Sequence, residues 1–294
     1  MSRSPLTARR LFERFEPLHG LTYFAPEALR GFEDAGYRGF WRGYFAGRAA
    51  PLGRVPNEVV TAVFYNFSAA QIARALPEVW DAASPADALR VRESSAVAAL
   101  TRCGVTDHEA TATAADLLER AARTAPVDGR TLFAANVALP WPQTPVARLW
   151  HAATLLREHR GDGHVALLVG AGLSGRQSNV LHSVADRVPR EMIMRARWYD
   201  DAEWQQCTEA LAARGLLDDA GLTPAGHALK QDLEDGTDRL ALSAFDALDD
   251  GDLEALFRTL TPLTRAVVAA GDIPSATPMG LRRDDLDDDD ARVR

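Results

Sequence analysis

Two short stretches near the N-terminus carry a dense set of aromatic and basic side chains. HGLTYF covers residues 19–24 and GFWRGYFAGRAAPLG covers residues 39–53, in a chain that is 7% aromatic. Rings with polar tips suit a mostly apolar pocket, and arginines suit an anionic group held by two hydrogen bonds. We therefore predict an organic-ligand site formed by His19, Tyr23, Phe24, Trp41, Arg42, Tyr44 and Arg48. The competing interpretation is that each ring belongs to the ordinary core of the first half.

A third stretch, EHRGDGHV at residues 158–165, places acidic and histidine side chains around two glycines. We expect the glycines to interrupt the helix, with Asp162 capping a new helix that begins at Gly163. Histidine and aspartate on such a turn can orient a polar ligand, exchange protons or bind a metal. The histidine spacing puts no ligand set on one helix face, so we predict no metal site. This stretch adds His159, Asp162 and His164 to the candidate ligand residues. His182, in a later segment, is a further candidate.

Glycines also precede a helix in GAGLSGRQSN, residues 170–179. Nothing there follows a predicted strand, and the Lys-Ser/Thr pair of a phosphate-binding loop is missing. We predict a turn between helices, with Ser178 as the helix cap. Residue order supports no Ser-His-Asp or Cys-His arrangement, so we name no catalytic residue and no cofactor. An enzyme using His and Asp as acid–base groups remains an alternative.

Residues 198–238 have the pattern of a helix, a tight hairpin and a second helix. Apolar residues recur at helical spacing from Trp204 to Leu211, and a threonine–proline pair opens the next helix. The segment EALAARGLLDDAGLTPAGHAL resembles the winged helix of MarR-like regulators. That resemblance implies a first helix that reads DNA and a basic wing that grips phosphate. Here the wing is a short turn that carries Asp218 and Asp219.

DNA binding through this segment would use Gln205 and Gln206 on base edges and Arg214 on phosphate. Much of the affinity of DNA-binding proteins comes from Lys and Arg contacts to phosphate. The segment is acidic, and the whole chain has a net charge of −8. DNA therefore stays a possible partner that the charge disfavours.

Weak internal echoes recur in the same order along the chain. Pro56-Asn-Glu echoes Pro189-Arg-Glu, and SPADAL at 84–89 echoes TPAGHAL at 223–229. Chance in an alanine-rich chain is one explanation, but the common order favours duplication. We predict a mainly α fold in which tandem winged helix-turn-helix modules, with short β-hairpins, form an intrachain pseudo-dimer.

The proline-rich stretch 124–145 marks the boundary between the halves. The predicted organisation is a first, degenerate module at 1–125, a linker at 126–144, a second module at 145–272 and an acidic disordered tail at 273–294. Within it, we expect a strand near 59–65, a helix over 68–80, and separate helices over 145–158 and 163–172.

Longer pieces resemble an actinobacterial helix-turn-helix family. These pieces are FEPLHGLTYFAPEA, GFWRGYFAGRAAPLG, LREHRGDGHVALLV and LTPAGHAL, and the likeness spans nearly everything except the tail. It implies the fold and brings no established activity. The two cysteines lack metal or redox spacing, and no segment has the apolar length of a membrane span. We expect a cytoplasmic protein with free thiols and no membrane contact.

The sequence thus predicts a protein of MarR-like descent that binds an organic small molecule, as a ligand sensor or sequestering protein, with transcriptional regulation as the inherited role. The alternatives are a DNA-binding repressor and an enzyme built on the same scaffold. The expected assembly is a monomeric pseudo-dimer or a homodimer.

Overall fold

The computed structural model describes residues 3–76, 78–185 and 188–274, together with Leu286. Except for that leucine, the aspartate-rich run of the predicted tail lies outside the described residues. The helices before residue 140 are α1 (Leu6–Phe24), α2 (Pro26–Asp34), α3 (Phe40–Ala49), α4 (Asn57–Phe64), α5 (Ala69–Ala75), α6 (Glu78–Ala82), α7 (Pro85–Arg102), α8 (Glu109–Thr124) and α9 (Thr131–Val137). Those after it are α10 (Pro145–Gly170), α11 (Gly175–Val184), α12 (Arg190–Arg197), α13 (Asp201–Ala213), α14 (Pro224–Leu242) and α15 (Asp250–Ala269). The mainly α prediction is confirmed.

Among the described residues, the β-structure is one hairpin. Strand β1 (Leu217–Asp218) pairs antiparallel with β2 (Gly221–Leu222) directly after α13. The hairpin predicted in this segment is therefore confirmed, and its wing is a turn of two residues. The Asp218 carboxylate accepts the backbone N–H of Ala220 at 2.9 Å, which stabilises the turn.

The helix starts at SPADAL and TPAGHAL follow the capping chemistry of their sequences. Ser84 Oγ accepts the Asp87 backbone N–H at 3.1 Å, and the Asp87 carboxylate accepts the Ser84 backbone N–H at 2.9 Å. Thr223 Oγ1 accepts the Gly226 backbone N–H at 3.1 Å. Each cap is followed by a proline at the first helical position, where a missing N–H has no cost.

The largest core cluster lies in a bundle built from α1, α7, α8, α10, α14 and α15. Helix α10 is central and packs against α1, α7, α8, α9 and α14. Its Trp150 is 1% exposed and donates its indole N–H to Thr22 Oγ1 at 2.8 Å. Burial of the ring and satisfaction of its polar edge together fix α10 against α1.

Two smaller cores flank this bundle. One, formed by α2 to α6 and the start of α7, buries Phe45, Phe64 and Trp80. The other, formed by the end of α10, α11 to α13, the hairpin and the start of α14, buries Trp204 and Leu211. We call these two flanking units the first and second side modules. Along the chain, each side module lies between helices of the central bundle.

The two side modules share an unusual helix end. Among the described residues, Tyr65 (φ 28°) and Trp198 (φ 53°) are the non-glycine residues with positive φ, at the C-terminal ends of α4 and α12. Ser68 then caps α5, and Asp200 caps α13. The shared backbone geometry aligns Trp198 with Tyr65.

Two predicted elements of the first module were wrong. In the segment predicted as a strand at 59–65, residues 59–64 lie in α4 and Tyr65 follows its last turn, because a short run of apolar residues fits a buried helix as well as a strand. The helix predicted over 68–80 divides into α5 and α6. Leu76 is extended (φ −99°, ψ 141°), as expected for the residue before a proline in the sequence.

The predicted interruption at 159–162 was also wrong, since α10 runs for 26 residues without a break. Glycine in a helix interior costs about 1 kcal/mol relative to alanine. Tertiary packing offsets that cost here. A Cβ built on Gly236 of α14 would lie 2.9 Å from Leu167 Cδ1 of α10, so that glycine lets the two helices approach closely.

No described helix combines the length and the apolar character needed to cross a bilayer. Cys103 and Cys207 are both free thiols.

Candidate functional site

Polar side chains from five helices converge where the first side module meets α1 and α10. We call this group the arginine–tyrosine centre. It comprises His19 and Tyr23 of α1, Tyr44 and Arg48 of α3, Arg92 of α7, Thr154, Arg157 and Glu158 of α10, and Arg197 of α12.

A hydrogen-bonded chain fixes the proton positions on His19. Thr154 Oγ1 donates its single proton to the Trp150 carbonyl at 3.0 Å, so it accepts from His19 Nδ1 at 2.9 Å. The Nε2 atom of His19 then accepts the Tyr23 hydroxyl proton at 3.2 Å. Burial, reinforced by the charge of Arg157, holds the His19 pKa well below its usual value. His19 is therefore a neutral group that orients Tyr23.

Glu158 is the carboxylate of the centre and is 2% exposed. It accepts Arg48 Nε at 3.2 Å and an Arg48 terminal nitrogen at 3.3 Å, while Arg157 donates at 2.8 Å. Burial alone would raise the pKa of Glu158, but the two guanidinium groups outweigh it and hold that pKa well below its ordinary value. Glu158 is ionised throughout the physiological range.

Arg197 and Arg92 complete the centre with weaker partners. The Arg197 guanidinium lies 4.1 Å from the Phe67 ring centroid and donates to the Ala196 carbonyl at 3.3 Å. Burial lowers the pKa of Arg197 to about 10. Arg92 donates to the Gly47 carbonyl and to Asn136 Oδ1, both at 3.2 Å. In each of these arginines Nε is buried and has no hydrogen-bond partner among the described residues.

Two cavities adjoin the centre. One of about 310 Å³ is lined by Tyr23 and Tyr44, whose ring centroids are 4.7 Å apart, and by Phe32 and Phe40. The other, of about 580 Å³, lies between α4–α5 and α10–α11, and Phe67 lines it. Tyrosine and phenylalanine rings therefore separate the arginines from both spaces.

Of the predicted ligand residues, His19, Tyr23, Tyr44 and Arg48 come together in the centre. Phe24 stacks on Phe40 with centroids 6.1 Å apart, and Trp41 packs edge-on against Phe67 at 5.9 Å, so both support the surrounding aromatic wall.

Arg42 lies outside the site. Its side chain is 42% exposed and pairs with Glu78 at 2.5 Å. Two arginines six positions apart on one helix project in directions about 120° apart, so they cannot reach one pocket.

The residues of the predicted turn at 158–165 do not form a site together, because the continuous helix α10 projects them in different directions. The His159 ring packs edge-on against Phe133 at 5.0 Å. His164 Nδ1 lies 2.9 Å from Thr237 Oγ1 of α14. Burial lowers the pKa of these histidines to about 3 and about 4, so both are neutral. His182 is half-buried in α11 of the second side module.

Asp162 caps a different helix from the one predicted. Its carboxylate accepts the Phe133 backbone N–H at 2.9 Å, at the start of α9. The predicted cap at Ser178 was also wrong, because Ser174 caps α11 in a reciprocal pair with Gln177. Among the described residues, no group of three His, Cys, Asp or Glu could hold a metal ion.

The sequence reasoning missed Thr154, Arg157, Arg92 and the role of Glu158. A signal for part of this set existed. His19 and Tyr23, Tyr44 and Arg48, and Thr154 and Glu158 are each spaced four residues apart on one helix, and such pairs share one helix face.

Asp162 gives a pH-dependent prediction. Burial raises its pKa to about 6, since the Phe133 N–H only partly offsets the loss of water. A raised folded-state pKa means that stability is greatest below the unfolded pKa of about 4 and falls as pH rises through about 6. We expect Asp162→Asn to remove this fall and to stabilise the protein at pH 7 by about 1–3 kcal/mol. Urea unfolding from pH 4 to 8 measures it.

The exposed Asp128→Asn is the matched control and should leave the pH profile unchanged. A destabilised Asp162→Asn that keeps the wild-type pH slope would show that the carboxylate is needed as a helix cap in its charged form.

The predicted DNA-contacting residues have little cationic support. Gln205 and Gln206 are exposed on α13, but Gln205 donates to Glu209 at 3.0 Å. Arg214 donates to the carbonyls of Gly172 at 2.9 Å and Ala171 at 2.8 Å. That arginine caps the C-terminal end of α10, which satisfies carbonyls the helix leaves unpaired.

The fold defines a mainly helical protein in which a β-hairpin connects helices α13 and α14. The chain belongs to a helix-turn-helix family, whose model matches residues 8–274. Membership suggests a regulator-like fold of the kind that binds DNA. Neither the curated proteins nor the solved structures contain a significant match to the chain.

Proposed function

We propose that this protein is a ligand-responsive helix-turn-helix protein of MarR-like descent that binds an organic small molecule at the arginine–tyrosine centre. The observation that carries the proposal is the centre itself. It gathers four arginines, of which Arg48 and Arg157 donate to the buried carboxylate of Glu158, at a junction of helices from both halves of the chain. A core that served only packing would be more stable with apolar residues there.

The halves of the proposed pseudo-dimer are residues 1–125 and 145–272, joined through 126–144. Support comes from the paired caps at Ser84 and Thr223 and from the matching positive-φ residues Tyr65 and Trp198. Each half contributes one side module and two or more helices of the central bundle. In this arrangement one polypeptide supplies what two copies supply in a homodimer.

Native mass spectrometry of the purified protein tests the ligand. We expect an extra organic mass on the wild-type protein and on Arg42→Met, and its loss from Arg48→Met. Both substitutions replace an arginine of α3 by methionine. Arg42 is exposed, whereas Arg48 belongs to the arginine–tyrosine centre. Wild-type protein without any bound molecule from several expression hosts would contradict the proposal.

Direct DNA binding is the second candidate, and family membership favours it. The exposed face of α13 argues for weak binding, because its nearest arginines pair with acids or carbonyls. Arg190 pairs with Asp201 at 2.7 Å, and Arg176 pairs with Glu203 at 2.6 Å. Phosphate would have to displace these acids and carbonyls, which lowers what each arginine can contribute to DNA binding.

Fluorescence anisotropy with genomic fragments at physiological salt, repeated over a range of salt concentrations, separates the two candidates. We expect dissociation constants in the range of about 10⁻⁴–10⁻⁶ M typical of non-specific binding, unchanged in a Gln205→Ala/Gln206→Ala variant. Tight, salt-sensitive binding that the double variant abolishes would make the protein a DNA-binding repressor.

A further inference from the structure

The cavity of about 310 Å³ beside α2 and α3 has a wall made mostly of aromatic rings. Five of the side chains that line it are aromatic, namely Tyr23, Phe32, Tyr37, Phe40 and Tyr44. Glu33 supplies the one carboxylate of the wall, and no described lysine, arginine or histidine lines it. The space therefore combines ring surface with a negative charge, and the arginines of the neighbouring centre lie outside its wall.

Two tyrosine hydroxyls of this wall are engaged elsewhere. Tyr37 donates its hydroxyl proton to the Ser84 carbonyl at 3.0 Å, and Tyr23 donates to His19 Nε2 at 3.2 Å. What these residues offer to the cavity is therefore mainly ring. The face of an aromatic ring carries the negative part of its quadrupole, which attracts cations.

Packing holds the ring wall in place without a ligand. A Cβ built on Gly43 would lie 3.0 Å from Phe32 Cβ, and one built on Gly47 would lie 2.7 Å from Phe32 Cζ. The two glycines of α3 thus let the Phe32 ring lie directly against that helix. Tyr37 packs edge-on against Phe32 with centroids 5.8 Å apart, and it is 1% exposed. The wall is therefore preformed, as is usual for small-molecule sites.

Glu33 is held at the edge of this cavity by the loop that follows α2. Its Oε2 accepts the backbone N–H of Gly39 at 3.0 Å, and Gly39 has a φ of 82° that favours glycine. Glu33 forms no ion pair with a described residue, and its Oε1 forms no hydrogen bond with one. Since an ionised carboxylate has about four acceptor positions, most of its capacity is left for a cation.

We propose that this cavity binds a small organic cation with an alkylated ammonium head, which lies among the rings and beside Glu33. The ring faces and the carboxylate attract the same charge. The volume lies at the lower end of the range of about 300–1,000 Å³ usual for ligand pockets, so the occupant is a small molecule. The site goes beyond the proposed function, because its charged group is Glu33 of α2 and no arginine of the centre lines it.

The binding test compares probes of one shape and different charge. Calorimetric titration uses choline, its neutral carbon isostere 3,3-dimethyl-1-butanol, and the anion 3,3-dimethylbutanoate. We expect choline to bind about tenfold or more tightly than the alcohol, through desolvated contacts with the rings and the charge of Glu33, and the anion to bind most weakly.

Two matched variants test the role of the carboxylate. Glu33→Gln keeps an acceptor for the Gly39 N–H and removes the charge, so it should lower the affinity for choline about two- to fivefold and leave that for the alcohol unchanged. Asp34→Asn removes a charge from the next residue of α2, which is exposed and does not line the cavity, and should change neither affinity.

Phe40→Leu tests the rings. Phe40 is 40% exposed at the cavity and lies outside the arginine–tyrosine centre, so leucine should preserve folding, which urea midpoints check. We expect choline to lose about threefold or more in affinity, with a smaller change for the alcohol. Equal affinities of choline and the alcohol, tighter binding of the anion, no binding at millimolar concentration, or equal losses in Glu33→Gln and Asp34→Asn would each overturn the inference.

The same measurements separate this inference from the proposed function. A native mass that is lost from Arg48→Met, in a protein that does not bind choline, would support the proposed function and refute the cation site. Choline binding by a protein that carries no native mass from any host would do the reverse.

Discussion

Replacing Glu158 by glutamine is expected to lower the free energy of unfolding by about 3–5 kcal/mol, the cost of leaving a buried charge without its partner. Glu158 is 2% exposed and holds Arg48 and Arg157 in place. Glutamine keeps the size of the side chain and removes its charge, so two guanidinium groups lose their counter-ion. Urea unfolding at pH 7 measures the loss.

The effect should disappear in acid. The folded-state pKa of Glu158 lies below its unfolded value, so its contribution is fully present above about pH 4.5 and is lost as pH falls below that value. The control is Glu78→Gln, which makes the same change in the exposed pair with Arg42 and should cost no more than about 1 kcal/mol. Similar small losses in both variants would mean that the centre is more hydrated than its burial indicates.

Alanine at Gly175 is expected to destabilise the protein by about 1–3 kcal/mol, the usual cost of overpacking a tight contact. Gly175 is the first residue of α11, and a Cβ there would collide with the backbone carbonyl of Tyr65 in the other half. Four hydrogen bonds of Tyr65 and Asn66 also cross this contact, and two of them involve backbone carbonyls. The Tyr65 hydroxyl donates to the Leu173 carbonyl at 2.5 Å, and Asn179 donates to the Asn66 carbonyl at 2.9 Å. The substitution therefore strains the place where the two side modules touch.

Gly170→Ala is the matched control, because nothing lies within 4 Å of a Cβ at that helical position. It should be neutral or stabilise the protein by about 0.4–1 kcal/mol, since alanine restricts the unfolded chain. Equal urea midpoints for the two alanine variants would show that the backbone around Tyr65 can move away freely.

Local chemistry in the sequence predicted much of the fold. The serine and threonine caps with proline beside them placed α7 and the start of α14, and the hairpin followed from its turn residues. The continuity of α10 could not be predicted. Two glycines oppose a helix locally, and the packing of α14 against α10 that outweighs them is a long-range contact.

The site was predictable in part. The aromatic and basic stretches pointed to His19, Tyr23, Tyr44 and Arg48, and helical geometry alone separates Arg48 from Arg42. Arg197 could not be assigned, because its neighbour Phe67 belongs to the other half of the chain. Contacts between distant segments depend on how the modules pack, which local patterns do not encode.

Because α10 is continuous, it connects the arginine–tyrosine centre rigidly to the helices that follow it. Glu158 lies 12 residues before the last residue of α10, Gly170, a distance of about 18 Å at the rise of an α-helix. Beyond that end, Arg214 ties the carbonyls of Ala171 and Gly172 to the end of α13. Under the proposed function, a rotation of α10 at the arginine–tyrosine centre would move α13 with it, so that binding of a ligand would displace an exposed helix.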